Sequence, residues 1–511
     1  MDEETPYFDS DLKRLTKLMN FSVYYFKPRY KKILMNKISK YLILLKLALF
    51  LSSNLFAKDK PNVLFIFADD QCYKTIASLN NEEIKTPHLD RLVRNGTTFT
   101  HTYNMGGYHG AVCVASRTML ITGKHIWHAK NSEKNLKKSL DGKLWPQLMA
   151  KAGYDTFFTG KWHVKADANH LFGTARNVRG GMPRQTKEGY NRPLADGTDP
   201  WDPSDPKFGG FWAGGKHWSE VVADDAIDYL DLSKKSENPF FMYIAFNAPH
   251  DPRQAPKEYV DMYPTDKIQI PKSFLKEHPL KEEIGSGKGL RDEKLAPFPR
   301  TKHAVQVNRR EYYAIITHMD FQIGRILEHL EKTGQADNTY IFFTADHGLS
   351  VGHHGLLGKQ NLYDHSVRVP FIATGPGIEK DRKNNSPIYL QDVMATSLEI
   401  AKAKSPDHVQ FKSLLPMLKD GKKGGLKSVY GTYVHFQKMV VSENYKLLLF
   451  PNAKKALLFN MNDDPEELED ISDRPSSKKI MKDLFKELLK LQKESGDTFE
   501  LEPIYPELAK N

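Results

Sequence analysis

The sequence predicts an α/β protein: a large mixed, mostly parallel sheet sandwiched by helices, followed by a small C-terminal antiparallel sheet subdomain with one helix. Short apolar, β-branched or aromatic runs without alternation recur from Asn62 onward, the pattern of strands covered on both faces, and helical patterns separate them. After Leu418 the chain changes to short strands spaced by turn residues, which read as antiparallel sheet. Composition agrees: 40% hydrophobic and 27% charged residues over 511 positions suit a globular chain and exclude a collagen, a disordered tail or a polytopic membrane protein. Two cysteines, Cys72 and Cys113, exclude a disulfide framework and a zinc site of several thiolates.

Taken in chain order, the first element is a targeting segment. Lys37 and Lys40 precede the apolar run from Tyr41 to Leu51, and Ala57 offers a small residue for cleavage. Lys46 interrupts the run, which is shorter than the ~20 apolar residues of a bilayer span, so it reads as a cleaved signal and not an anchor. Residues 35–57 are therefore assigned as signal peptide, residues 1–34 as a mis-called start, and Met35 as the true one. The protein is expected to be exported, periplasmic or secreted, with envelope association left open and no stable membrane insertion after cleavage. The formal net charge of +11 falls to +6 from Lys58 onward, a modest field that favours anionic substrates.

Residues 58–415 are expected to form the catalytic α/β domain and residues 416–511 the antiparallel subdomain. A helix is expected from Pro87 to Asn95, with Thr86 as N-cap and Gly96 just past its end. A longer one from about Asn308 to Thr333 places Tyr312, Ile315, Ile316, Met319, Ile323, Ile326, Leu327 and Leu330 on one face, with Gly334 closing it. In the C-terminal part, strands are expected at Val429–Phe436, Met439–Val441, Tyr445–Phe450 and Ala456–Phe459, and a helix at about Ser477 to Glu494.

Four apolar runs end in chemistry. The strand from Asn62 ends in Asp69 and Asp70, that from Tyr154 in Lys161 and His163, that from Phe240 in Pro249 and His250, and that from Thr339 in Asp346 and His347. In an open α/β sheet the ligand lies beyond the carboxyl ends of the strands, so these residues are expected to converge. Three carboxylates in one small site require a compensating cation, and hard oxygens favour Ca²⁺ or Mg²⁺. His347, a nitrogen donor, leaves the ion's identity open. Near the second cysteine, Ser116 to Thr122 reads as the first turns of a helix, which would set Cys113 at a positive helix end.

The segment Cys113-Val-Ala115-Ser-Arg117, followed by Leu120-Ile-Thr-Gly-Lys124, resembles the sulfatase signature Cys-x-Pro-x-Arg with Leu-x-Thr-Gly-Arg/Lys, whose cysteine is oxidised to formylglycine. It departs from that signature at Ala115, where most members carry Pro; a Cys-x-Ala-x-Arg form is accepted by some bacterial maturation systems. The likeness extends to Gly160-Lys161-Trp162-His163, Pro249-His250, Ala345-Asp346-His347-Gly348, Gly358-Lys359 with Tyr363, and the C-terminal Leu458 to Glu467. It implies an alkaline-phosphatase-like fold and a formylglycine-dependent sulfatase similar to exported bacterial carbohydrate sulfatases.

The resemblance further implies Asp69, Asp70, Asp346, His347 and the modified Cys113 as metal ligands, Ca²⁺ being preferred to Mg²⁺. Arg117 would orient the hydrated aldehyde, His163 would contact its diol, and Lys161, His250 and Lys359 would hold sulfate oxygens. One hydroxyl of the diol would attack sulfur and the second would lose its proton to expel sulfate. A formylglycine-generating maturation enzyme is the implied protein partner and a sulfated glycan the implied substrate; nucleic acid is not implied. The aperiodic stretch between His163 and Ser219, rich in Trp201, Trp212, Trp218, Arg176 and Arg179, is the expected source of sugar-stacking rings and basic groups. A phosphonate monoester or phosphodiester hydrolase using the same nucleophile, and a non-catalytic glycan-binding relative, stay as alternatives.

Overall fold

A computed structural model of the chain describes residues 60–79, 81–136, 141–419, 421 and 424–510. The expected signal peptide and start site lie outside the described residues. Among those residues no helix is long and apolar enough to cross a membrane.

The main sheet has eight strands in the order Arg382–Asn384, Thr97–Phe99, Phe371–Thr374, Thr339–Ala345, Asn62–Ala68, Phe240–Ala245, Asp155–Lys161 and Thr174–Arg179. Only Phe371–Thr374 runs against its neighbours; the other pairings are parallel. Every residue of the central strand Asn62–Ala68 is buried, so both faces of the sheet are covered. That explains why the strand reads as one apolar run. On one side Phe65, Phe67, Phe241, Tyr243 and Trp145 meet edge to face or tilted, with centroids 4.8–5.9 Å apart. Each ring removed from water contributes roughly 1.5–3 kcal/mol, so this aromatic layer fixes the register.

That register positions the site. Ala68 pairs with Ala345, Phe67 with Ala245, and Gly160 with the same Ala245. Three central strands and their neighbour thus end level, and Asp69, Asp346 and Lys161 emerge in one row.

The long helix spans Lys302–Lys332, beginning about two turns earlier than its apolar pattern because Thr301 caps it, its hydroxyl accepting from the Ala304 amide at 3.0 Å. All eight residues expected on its inner face are buried. The helix Pro87–Arg94 starts where expected, but Thr86 does not cap it with its side chain. The Thr86 hydroxyl accepts from the Ala77 amide and donates to Asp90 instead. Asp320 of the long helix takes over, accepting from the amides of His88 at 3.1 Å and Leu89 at 2.7 Å. A carboxylate from a neighbouring helix satisfies the free amides as well as a local hydroxyl does.

The C-terminal sheet has the order Lys455–Asn460, Tyr445–Phe450, Gln437–Ser442, Ser428–Tyr433 and Gly106–Gly107. Its four long strands form an antiparallel meander, as expected, and the helix Ser477–Glu494 buries Met481, Leu484, Phe485 and Leu488. The fifth strand comes from far upstream: Gly106–Gly107 pairs in parallel with Thr432 and Tyr433. A Cβ on Gly106 would lie 2.1 Å from the Thr432 carbonyl oxygen, so the close approach demands glycine.

The helix Val112–Thr122 follows directly and is buried throughout. Leu120 and Ile121 belong to the core of the large sheet, and Val112, Ala115 and Met119 to that of the small one. This helix joins the two cores.

Candidate active site

Cys113 lies in the first turn of that helix, not ahead of it, because the helix begins at Val112. Its thiol is 2% exposed and stands at the position the modified side chain would occupy. Lys359 Nζ donates to Cys113 Sγ at 3.0 Å, and Sγ lies 3.4 Å from Asp69 Oδ1 and 3.6 Å from Asp70 Oδ1. Asp69, Asp70, Cys113 and Asp346 are all buried, each offering one ligand atom, and these atoms lie within 4.8 Å of one another. A second set joins Asp70, Cys113 and His250. His347 is in neither; its Nδ1 faces the Gly348 carbonyl at 3.2 Å, and its Nε2 is buried without a hydrogen-bond partner.

Three cations thread the carboxylates. Arg117 Nε donates to Asp346 at 2.8 Å, its NH1 to the Lys161 carbonyl at 2.8 Å, and its NH2 faces Asp69 at 3.7 Å. The guanidinium also lies over the Phe67 ring, 4.8 Å from its centroid. Lys161 pairs with Asp69, and Lys359 holds both oxygens of Asp70 at 2.6–2.7 Å. Asp70 has φ of 70°, a left-handed backbone that a non-glycine residue adopts only when held. The Tyr312 hydroxyl donates to its carbonyl at 2.6 Å and its own amide donates to Asp346 at 3.1 Å.

The electrostatics split the acids. Burial, then repulsion from Asp346, pushes Asp69 up to about 6, and burial likewise pushes Asp70 up to about 6 although Lys359 opposes it. Burial works against Asp346 too, but Arg117, Lys161 and Lys359 together hold it well below the usual range. Burial raises the Cys113 thiol well above its normal value. Burial, and then the neighbouring cations, lower His163 to about 2. Its ring lies beside Gly181 with Nδ1 unpartnered. His250 sits with Nε2 3.5 Å from Asp70 and Nδ1 against the Asp251 carbonyl at 2.9 Å and carboxylate at 3.1 Å.

The cluster therefore brings together the ten residues singled out from the sequence, eight by direct contact and His163 and His347 through charge. The donor set is oxygen-rich, with two acids raised by burial and by repulsion from Asp346, which is the condition a hard divalent cation relieves. The residues present fit such an ion.

The outcome differs for the stretch between His163 and Ser219. Trp201 packs on Phe208 at 4.7 Å, Phe211 stacks on His217 at 5.0 Å, and Arg179 covers Trp218 at 4.1 Å. Arg176 is paired with Asp228 at 2.9 Å. Trp201, Phe208 and Phe211 are buried, so these three rings face protein, whereas Trp212 and Trp218 are half-buried. Asp251, Arg291, Asp292, Gln360 and Tyr312 were not singled out as functional. Asp251 could have been, since it follows His250 directly, whereas Arg291 and Asp292 stand in a segment without periodicity.

With this geometry in place, the comparison with known families is decisive: the model described as Sulfatase matches residues 61–403. The chain belongs to the sulfatase family. A second model, the C-terminal part of N-sulphoglucosamine sulphohydrolase, matches residues 352–494. This sulfatase is 29% identical to an arylsulfatase of Clostridium perfringens, over 84% of its own chain and 94% of the relative. It is 25% identical to an N-acetylglucosamine-6-O-sulfatase of Bacteroides thetaiotaomicron, over 86% and 87%. Its fold matches that of a phosphonate monoester hydrolase from Silicibacter pomeroyi with a TM-score of 0.68, at 21% identity, covering 86% of this chain and 96% of that one. The sulfatase is a sulfuric ester hydrolase with an alkaline-phosphatase-like architecture, and its buried Cys, Asp and His residues have the make-up of a formylglycine and metal site.

Proposed function

We propose that this sulfatase is exported and removes sulfate from a sulfated glycan, with Cys113 oxidised to formylglycine by a maturation enzyme. The observation that carries the chemistry is the buried Cys113 side chain, 3.0 Å from Lys359 Nζ and flanked by Asp69 and Asp70. The glycan reading is supported by the N-acetylglucosamine-6-O-sulfatase relative and by the basic balance of the chain.

Asp69, Asp70, Asp346 and the modified Cys113 would hold Ca²⁺, with His347 offering its unpartnered Nε2. The ion would lower the energy of charge developing on the sulfuryl oxygens. Formylglycine supplies a hydrated aldehyde, one hydroxyl serving as nucleophile and the other as the means of release. The remaining roles belong to side chains. Arg117 fixes Asp346 and the Lys161 backbone, so the nucleophile helix and two strand ends keep one geometry. Lys359 reaches both Asp70 and the nucleophile, and can swing onto a sulfate oxygen without leaving the site. Lys161 and His250 supply two further donors for peripheral oxygens, and His163 a ring held neutral that can contact the diol. We assign residues 58–415 to catalysis and residues 416–511 to the supporting subdomain.

Peptide mass spectrometry of the native protein tests this reading. A loss of about 18 Da at Cys113, the difference between thiol and aldehyde, with sulfate release from a sulfated oligosaccharide that vanishes in Cys113→Ala, is the expected result. An unmodified Cys113 with glycan binding and no turnover would overturn it. The likeness to a phosphonate monoester hydrolase makes phosphonate and phosphate esters the essential control; faster turnover of these at equal concentration would reassign the substrate.

A further inference from the structure

Arg291 lies on the aperiodic stretch that precedes the long helix. Its guanidinium pairs with two buried carboxylates at once, Asp251 and Asp292. Asp251 receives both arms, the second on Oδ1 at 3.3 Å, and the same Oδ1, together with the Asp251 carbonyl, fixes His250 Nδ1. Asp292 accepts from Gln360 Nε2 at 2.8 Å. Gln360 then accepts from the Lys359 amide at 3.1 Å and donates to the Gly110 carbonyl at 3.1 Å, three residues before Cys113.

We infer that Arg291 is a positioning residue for sulfuryl transfer, a single guanidinium that sets both His250 and Lys359 through two carboxylate relays. This deepens the function proposed above and rests on His250 and Lys359 holding sulfate oxygens. The relays define what each partner does. With Nδ1 engaged by Asp251, His250 presents Nε2 toward Asp70 and the reacting group. With Gln360 braced by Asp292, the backbone that carries Lys359 is tied to the lead-in of the nucleophile. Asp251 and Asp292 have side chains 5% and 4% exposed, so loss of Arg291 strands two buried charges and releases both relays. The Arg291 side chain is itself 37% exposed, so a small cation from solvent can reach its place.

The test uses the full chain with confirmed formylglycine, and 4-nitrophenyl sulfate and inorganic sulfate as probes. Arg291→Ala should lower kcat by about 10- to 100-fold, the range for loss of a group that orients site residues, with a smaller change in KM. Millimolar guanidinium should restore part of that rate, and Arg291→Lys should retain more activity than Arg291→Ala. Calorimetry on the unmodified protein should find inorganic sulfate bound more weakly by Arg291→Ala than by wild type. In a double-mutant cycle, adding Asp251→Asn to Arg291→Ala should lose little more than Arg291→Ala alone. An active wild type with Arg291→Ala at full kcat, or additive losses with no guanidinium rescue, would overturn the positioning role. A modified wild type inert toward every sulfate ester would instead refute the underlying function.

Discussion

Two buried clusters of charge in this sulfatase are built from the same residue types and do different work. The catalytic one sets Asp69, Asp70 and Asp346 against Arg117, Lys161 and Lys359. The second ties the small sheet to the segment that follows Tyr363: Lys446 of the small sheet pairs with Asp364 at 2.9 Å and Glu467 at 2.7 Å, and Arg368 faces Asp364 at 3.3 Å. Both perturb their acids. Burial, then Asp364, pushes Glu467 up to about 7, while Lys446 and Arg368 outweigh burial to hold Asp364 down. Shifted acidity therefore does not mark the active site here. The difference is in what the bonds join. At the seam Glu467 also accepts from the Asp364 amide at 2.8 Å, so charge fastens one chain segment to another. Around Cys113 backbone groups are tied as well, the Lys161 carbonyl by Arg117 and the Asp70 amide by Asp346, but two imidazole nitrogens, His347 Nε2 and His163 Nδ1, stay without hydrogen-bond partners. The seam is organised for holding, the catalytic cluster for acting.

Substitutions can break that contrast. The largest expected effect is Cys113→Ala, which should remove sulfate release by at least ~10³-fold with an unchanged melting temperature, measured on matched preparations. Next is Lys446→Met, which strands Asp364 and Glu467 and should cost about 3–5 kcal/mol of stability in denaturant unfolding, while folded protein keeps its kcat. Equal losses of kcat and stability from both variants would erase the distinction. Asp69→Asn should go the other way, removing a carboxylate whose ionisation the site opposes. Without calcium it should melt at or above the wild-type temperature, and it should be inactive. Calcium at about 100 times its Kd should stabilise the wild type by about 2.7 kcal/mol and do much less for Asp69→Asn, as thermal scans with and without chelator would reveal.

A further test reads a slope with pH and concerns Asp320, the buried acid that caps the Pro87–Arg94 helix. Burial pushes it up to about 7 although two amides donate to it. Folded protein then binds a proton that unfolded chain has released, so its contribution is full below about pH 4 and is lost as pH rises toward 7, at up to ~1.4 kcal/mol per unit. Asp320→Asn should flatten that part of the stability profile. An unchanged slope would place the titration elsewhere.

The large sheet and its chemistry were legible because parallel strands covered on both faces must be apolar along their whole length, so Asp69, Lys161, His250 and Asp346 stand out where the apolar runs stop. The meander was legible from its turns. What escaped depends on tertiary partners. Thr86 had the right identity for a cap, and Asp320 took the role from a helix more than 200 positions away. The rings of Trp201 and Phe211 have the same composition whether they face a ligand or each other, and here they face protein. Arg291 sits in a segment with no period, where spacing cannot say that Asp251 and Asp292 will flank it.

The pairing of Gly106–Gly107 with Thr432 and Tyr433 gives the molecule an order in time. The lead-in to the nucleophile is translated early, but its partner strand lies more than 300 residues downstream. A nascent chain therefore holds the lead-in to Cys113 without its sheet partner until Thr432 and Tyr433 have been made.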